Sequence, residues 1–313
     1  MPDSKLENDG NESQDLVGDF RCGYVAIIGR PNVGKSTLLN RMLGQKISIT
    51  AHKPQTTRHR VLGIKSSYQA QIIFVDTPGI HTDKKSALNR YMNRAATSSI
   101  LDVDVVLFLV DSLKWNQKDE YVLEKLSQAE VPVVLVINKL DKIKNKEELL
   151  PHMTKLAEHY KFAQIVPVSA RNGEGVEDLE AAITNLLPES PPFFPLDQIT
   201  DRSDRFMAAE FIREKLMRSL GEELPYALTV EIEKFEDMEN LKRIHAVIWV
   251  SRDSQKGIII GKQGRQLKSI GEQARKDMEQ AFDSKVYLQL WVKVKEGWSD
   301  DERALRSLGY TDD

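Results

Sequence analysis

Five short stretches are apolar at nearly every position: YVAIIG from Tyr24, QIIFVD from Gln71, VDVVLFLVD from Val103, VPVVLVINK from Val131 and QIVPVSA from Gln164. A strand with one face in water alternates apolar and polar residues, so strands without that alternation have to be covered on both faces. Longer segments with helical spacing separate them, the first opening at about Lys35. Buried strands joined by helices form a doubly wound, mostly parallel α/β sheet. Such a domain is expected over residues 21–187.

Residues 188–201 (PESPPFFPLDQITD) contain four prolines, which break a helix and favour an extended linker. The order then changes: a helix over about 204–220, strands over about 226–235 and 242–251, a short turn into GKQG, a long helix to about Phe282 and a strand over 286–294. Adjacent strands beside helices mark a smaller α+β domain over 202–296. A tail over 297–313 holds one short helix around Ala304. In the 204–220 helix Ile212, Leu216 and Leu220 form one stripe, with Arg213, Lys215 and Arg218 elsewhere. A stripe of this kind suits packing under the sheet better than lying on an anionic membrane.

With 313 residues, 41% of them hydrophobic, the chain can bury two cores. A net charge of -3 leaves no overall basic character, so a nucleic-acid partner has to be met by a local patch. Residues 1–20 carry Asp3, Glu7, Asp9, Glu12, Asp15 and Asp19 against Lys5 with little apolar content, and are expected to be a disordered tail. That tail has neither the basic start nor the apolar centre of a signal peptide. The longest apolar runs, such as 105–110 and 131–137, fall far short of the roughly 18–20 residues that span a bilayer. The single cysteine, Cys22, cannot form an internal disulfide and fits a reducing cytosol, as a small strand-entry residue rather than a nucleophile. His, Asp and Glu show no metal-cluster spacing.

GRPNVGKST (Gly29, Arg30, Pro31, Asn32, Val33, Gly34, Lys35, Ser36, Thr37) has the spacing G-x-x-x-x-G-K-[ST], after a predicted strand and opening a helix. Successive backbone N–H groups and a helix N-terminus there make a cavity for phosphates. Gly29 and Gly34 let the chain turn and approach, Lys35 reaches β- and γ-phosphates, and the Ser36 hydroxyl can ligate Mg²⁺. DTPG (Asp76, Thr77, Pro78, Gly79) follows another strand. Asp76 can hold the Mg²⁺ shell through water, and the Gly79 N–H can meet the γ-phosphate. NKLD (Asn138, Lys139, Leu140, Asp141) selects the base: the Asp141 carboxylate can accept from the N1–H and amine of guanine, donors adenine lacks there. Lys139 can lay its stem over the ring and Asn138 can tie the loops together. Ser169 and Ala170 of the SAR stretch, with Arg171 beside them, would present backbone to the guanine carbonyl.

Four such motifs in order, each after a predicted strand, resemble a small GTPase domain of the translation-factor class. The resemblance implies a first switch loop at 53–63 (KPQTTRHRVLG) with one threonine completing the Mg²⁺ shell. Thr57, directly before Arg58, is preferred to Thr56, a choice that spacing alone leaves open. Lys35, Thr57 and Gly79 are then the candidate catalytic set, and Ser36, Thr57 and Asp76 the candidate metal ligands. Position 80 holds Ile where many GTPases have a water-orienting glutamine, so fast unaided hydrolysis is not expected. Asn32, as in related GTPases, suggests a bound K⁺ acting in place of an arginine finger, its plainer role being to shape the loop.

A second glycine loop, Gly261-Lys262-Gln263-Gly264, lacks a following Ser or Thr, a metal-binding acid and a base-selecting motif. With Ile258–Ile260 before it and Leu267, Ile270 and Ala274 after it, it resembles the GXXG element of type II KH domains, which clamps the backbone of about four single-stranded nucleotides. Ile260, Gly261, Lys262, Gln263, Gly264, Arg265 and Lys268 are the candidate RNA contacts. Between Arg252 and Lys295 there are ten bases and five acids, which supplies phosphate contacts in a chain negative overall.

A GTPase domain, a proline-containing connector and a KH domain ending in WSDDERALRSLGY together resemble the Era family of bacterial GTPases over about residues 21–310. The resemblance implies binding to the 3′ end of 16S ribosomal RNA, assistance in small-subunit maturation, a monomer in the cytoplasm and some peripheral contact with the inner membrane. Asp141→Asn is expected to weaken guanine-nucleotide binding by about a hundredfold or more, while ATP fails to compete for the unaltered site; competition binding measures both.

Overall fold

The computed structural model describes residues 20–51, 53–79, 86–112, 115–126, 130–145, 147, 149–221 and 224–310. The acidic tail before Phe20 and the isoleucine at position 80 lie outside the described residues.

The first unit is a six-stranded sheet of β1 (Arg21–Ile28), β2 (Val61–Ser66), β3 (Ala70–Asp76), β4 (Val105–Asp111), β5 (Val133–Asn138) and β6 (Gln164–Pro167), in the order β2-β3-β1-β4-β5-β6. All neighbours are parallel except β2, which pairs antiparallel with β3. β2 was not anticipated, because VLGIKS combines a glycine, a lysine and a serine with three apolar residues. It is an edge strand, for which a full apolar run is not required. β3 and β5 are buried throughout, β4 up to Asp111 and β1 apart from Arg21 and Tyr24, and two cores sit on opposite faces. Helices α1 (Lys35–Leu43) and α5 (Val176–Leu186) cover one; α2 (Ala87–Leu101), α3 (Gln117–Leu126) and α4 (Leu149–Ala157) lie on the other through Ala96, Val122 and Leu156.

The proline-containing stretch is extended and also anchored. The Cys22 and Ile64 N–H groups donate to the Pro188 and Ile199 carbonyls at 3.1 and 2.8 Å, so it covers the open edge of β2 and the start of β1.

The second unit contains α6 (Asp204–Ser219), β7 (Leu228–Met238), β8 (Leu241–Val250), α7 (Asp253–Ile260), α8 (Arg265–Ala281) and β9 (Lys285–Val294). Its sheet runs β7-β8-β9, with β8 antiparallel to β7 and parallel to β9. Ile212, Leu216 and Leu220 enter its core with Ile244, Ala246, Ile270 and Ala274. The α6 stripe is therefore core and offers nothing to a membrane. The expected turn before GKQG is instead helix α7, and of its three isoleucines only Ile259 is fully buried, while Ile258 is 54% exposed. A run of three isoleucines looks like a strand, but here it closes a helix whose first turn is held by Gln255, its side-chain oxygen accepting the Ser251 and Arg252 N–H groups at 2.9 and 3.1 Å.

The tail holds the expected short helix, α9 (Glu302–Ser307), and returns to the first unit. Trp298, Leu305 and Tyr310 pack with Leu88, Tyr91 and Met92 of α2. Phe211, 1% exposed, faces Phe282 at 6.1 Å in the second core. Phe211→Ala is expected to cost about 3–5 kcal/mol, read as a lowered denaturant midpoint; a loss under about 1 kcal/mol would contradict this packing.

Candidate functional site

The first glycine loop joins the end of β1 to α1, and the sheet order puts it between the C-terminal ends of β3 and β4. Gly34 opens α1 at φ 107°, and a Cβ there would lie 2.3 Å from Asn138 Nδ2, so both conformation and space require glycine. The Lys35 ammonium donates to the Gly29 and Arg30 carbonyls at 3.0 and 3.3 Å. Burial pushes its pKa down to about 8, with the Asp76 carboxylate pulling the other way. Gly79 closes on this ammonium: a Cβ there would stand 3.2 Å from Lys35 Nζ.

Asp76 is fully buried, and its Oδ2 accepts from Ser36 at 3.0 Å and Ser48 at 2.7 Å. Thr57 Oγ1 lies 2.8 Å from Ser36 Oγ and 3.4 Å from Asp76 Oδ2. Thr56 instead donates to the Lys53 carbonyl at 2.6 Å. Burial raises the Asp76 carboxyl despite these hydrogen bonds and the nearby Lys35 charge, and its Oδ1 has no hydrogen-bond partner. A buried carboxylate with an orphan oxygen beside two hydroxyls is a hard, oxygen-only donor set, the kind Mg²⁺ takes.

Asn138 ties three loops together: its Nδ2 donates to the Val33 carbonyl at 2.8 Å, and its Oδ1 accepts the Ala170 and Lys139 N–H groups at 3.0 and 2.7 Å. Lys139 crosses to the first loop, donating to the Asn32 carbonyl at 2.7 Å and pairing with Asp111 at 2.8 Å. Asp141 accepts the Ser169 hydroxyl at 2.7 Å and has Arg171 4.0 Å away. The Ser169 N–H donates to the Glu174 carbonyl, so the two N–H groups expected at a guanine carbonyl both have protein partners.

These residues surround a cavity of about 670 Å³ lined by Pro31, Lys35, Thr57, Gly79, Asn138 and Asp141 among others. Not every loop residue reaches it. Arg30 turns away to pair with the buried Asp119 at 2.9 Å, and Val33 belongs to the core. Thr77 is buried, its hydroxyl donating to the Ile27 carbonyl at 3.0 Å. Asn32 stands at φ 66°, the left-handed region asparagine tolerates, which suits its loop-shaping role.

Cavity-lining residues that the motifs do not contain are Ile49, Thr50, Ala51, Lys142 and, from the second unit, Arg218. Arg218 marks a joint between the units. The polar face of α6 is buried here, with Arg213, Glu214 and Lys215 2%, 0% and 6% exposed. Glu214 accepts the Thr50 N–H at 2.9 Å and Arg218 donates to the Thr50 carbonyl at 2.9 Å, so both backbone groups of Thr50 are held by one helix. Arg213 donates to the Gln55 and Thr56 carbonyls, and Lys53 to the Leu220 carbonyl. Lys46 bridges Glu214 at 2.6 Å and Asp277 of α8 at 2.8 Å. Asp277 also takes Lys215 at 2.6 Å; burial pushes its carboxyl up, but these two lysines outweigh that and hold it below the ordinary range. Arg58, fully buried, donates to the Leu228, Pro225 and Tyr226 carbonyls. His59 stacks on Tyr310 at 4.5 Å, and burial lowers it to about 4, so it is neutral at neutral pH.

The second glycine loop sits between α7 and α8. Gly261, Gln263 and Gly264 all have positive φ, at 70°, 55° and 74°. This turns the backbone outward, and Lys262, Gln263, Arg265 and Lys268 are exposed around it while Ile260 is half-buried.

Together the sites define a P-loop nucleotide hydrolase coupled to a KH-type domain. Residues 24–139 match the 50S ribosome-binding GTPase family and residues 223–299 the KH domain family. The GTPase Era of Pseudomonas fluorescens is 61% identical over 292 residues, covering 93% of this chain and 97% of the relative; that of Pseudomonas aeruginosa is 58% identical over 298 residues, covering 95% and 98%. A crystal structure of Era in complex with MgGDPNP and nucleotides 1506–1542 of 16S ribosomal RNA is 42% identical, covers 93% of this chain and 99% of that one, and superposes with a TM-score of 0.90. An Aquifex aeolicus Era variant bound to GDP·AlF4⁻ gives 0.91 at 42% identity, covering 93% of this chain and 100% of that one. The chain belongs to the Era family of GTPases.

Phosphates at Lys35 restore its charge, so nucleotide binding is expected to take up protons increasingly from about pH 7 to about pH 9, approaching one proton per site. Calorimetry in buffers of different ionisation enthalpy measures this; a proton-neutral reaction across the range would contradict the buried, partly neutral lysine.

Proposed function

We propose that this chain is a ribosome-assembly GTPase that binds the 3′ end of 16S ribosomal RNA through GKQG and assists small-subunit maturation, with its nucleotide state setting RNA affinity. Support comes from the solved Era complex, which holds MgGDPNP and 16S nucleotides together in a chain like this one over 93% of its length. The observation that carries the coupling is Thr50, whose N–H and C=O are both held by α6 while the segment after it ends at Thr57 beside Asp76.

Gly29 to Thr37 cradle the phosphates, and Lys35 swings its ammonium from the Gly29 carbonyl to the β- and γ-oxygens. Ser36, Thr57 and Asp76 are the residues that hold Mg²⁺; bound there, the ion neutralises charge developing between the phosphates. Asp141 selects guanine, with Lys139 along the ring. The Gly79 N–H contacts the γ-phosphate, and Thr57 and Gly79 are released together when that phosphate leaves. No side-chain base is assigned, since position 80 is isoleucine. K⁺ near Asn32 supplies additional positive charge; a hydrolysis rate unchanged when Na⁺ replaces K⁺ would remove that ion.

In the second unit Lys262, Arg265 and Lys268 meet RNA phosphates while Gly261 and Gly264 allow close backbone approach, with Ile260 and Gln263 completing the contact. We place the protein in the cytoplasm as a monomer. Any peripheral membrane contact is made without a spanning helix, since among the described residues none is long and apolar enough to cross.

RNA affinity measured with a GTP analogue, with GDP and without nucleotide is expected to be highest with the analogue; equal affinities would sink the switch. Gly264→Asp should reduce RNA affinity by about tenfold or more, through charge repulsion of the phosphates and loss of the close backbone approach, and leave RNA-free GTP hydrolysis unchanged.

A further inference from the structure

We infer that the open face of the second sheet is a stacking platform for single-stranded RNA, extending the site at GKQG. The inference rests on the RNA-binding proposal above. A GXXG loop clamps only about four nucleotides, so a longer strand leaving it has to cross neighbouring surface. The nearest strand is β9, an edge strand against which both flanking helices, α7 and α8, pack.

One face of this sheet is filled by α6, α7 and α8. On the other, Tyr287 and Trp291 of β9 stand 45% and 41% exposed. They point to the same side, four residues apart on one strand, or about 13 Å. The His245 ring of β8 lies between them, 6.5 Å from Tyr287 and 5.5 Å from Trp291, so three rings form a row. Arg243 lies 6.0 Å from the Tyr287 centroid at one end. Lys293 and Lys295 each lie 5.7 Å from the Trp249 ring at the other.

Rings alternating with cations at this spacing suit bases and phosphates. The charge pattern favours a polynucleotide over an acidic protein segment, which would gain little from three rings in line. β9 (KVYLQLWVKV) contains no acid. The acids that pair with this face, Glu231 to the Trp249 ring N–H at 2.7 Å, Glu233 to Lys293 at 2.7 Å and Glu236 to Arg243 at 3.7 Å, come from β7 at the far edge. A strand approaching from GKQG over β9 therefore meets cations and rings before it meets carboxylates.

The test uses the full chain with a GTP analogue and Mg²⁺, and two RNAs of shared sequence, about five and about twelve nucleotides long. The longer RNA is expected to bind more tightly and to quench tryptophan fluorescence. Trp291→Ala and Tyr287→Ala should each lower affinity for the longer RNA by about tenfold and leave the shorter within about twofold. Trp291→Phe, which keeps a ring, should retain most of the affinity. Wild-type protein that binds both lengths equally, or variants that weaken both by the same factor with unchanged unfolding, would overturn the platform and leave GKQG standing. Wild-type protein that binds neither RNA would overturn the RNA-binding proposal as well. A face protected by an acidic peptide, with RNA affinity insensitive to both variants, would assign it to a protein partner instead.

Discussion

The arrangement of the two units depends on one buried carboxylate. Glu214 has no exposure to solvent, and a charge removed from water is tolerable only with close, hydrogen-bonded partners. It finds them in Lys46, Arg218 and the Thr50 N–H. Two of these, Lys46 and Thr50, belong to the nucleotide-binding unit, so the charge stays satisfied without water only while the units are joined. The same chemistry repeats along the interface, where Arg58 and Arg213 give their N–H groups to main-chain carbonyls across it. The segment from Thr50 to Thr57 is therefore held from the outside by the second unit and ends on the inside beside Asp76. Either side can move it only by working against the other.

This arrangement places a rigid element behind each contact. Asp277 lies on the helix that begins at the second glycine loop, and Lys46 lies just beyond the helix that begins at the first. The path between the two glycine loops thus runs through two helices and one ion-pair cluster. The tail adds a second bridge, with Tyr310 hydrogen-bonded to Thr229, stacked on His59 and packed with Tyr91 of α2.

What was legible in the sequence divides along physical lines. The central strands declared themselves because a strand covered on both faces has little place for polar residues between its ends. The nucleotide motifs were legible because phosphate chemistry fixes residue types at fixed spacing, and the structure brings Lys35, Ser36, Thr57, Asn138 and Asp141 around one cavity, with Asp76 buried behind Ser36. β2 escaped notice because an edge strand tolerates glycine and lysine. Helix α7 was hidden by GIII, whose composition suits a strand, and by an arginine at its N-cap, which is no capping residue. The buried charges of α6 could not be read at all: Arg213, Glu214 and Lys215 look like a solvated face until the partner surface, more than 150 residues away in sequence, is folded against them. Arg218 at the cavity and Tyr310 against His59 were invisible for the same reason, since neither contact is local.

The central claim is that the nucleotide is felt by the second unit through the grip of α6 on Thr50. Amide hydrogen exchange over α6, compared between GDP and a GTP analogue in the native chain and in Glu214→Gln, tests it most directly. Protection of α6 should change with nucleotide in the native chain and cease to respond in the variant. An α6 indifferent to nucleotide in the native chain, or a response that survives in Glu214→Gln, would contradict it.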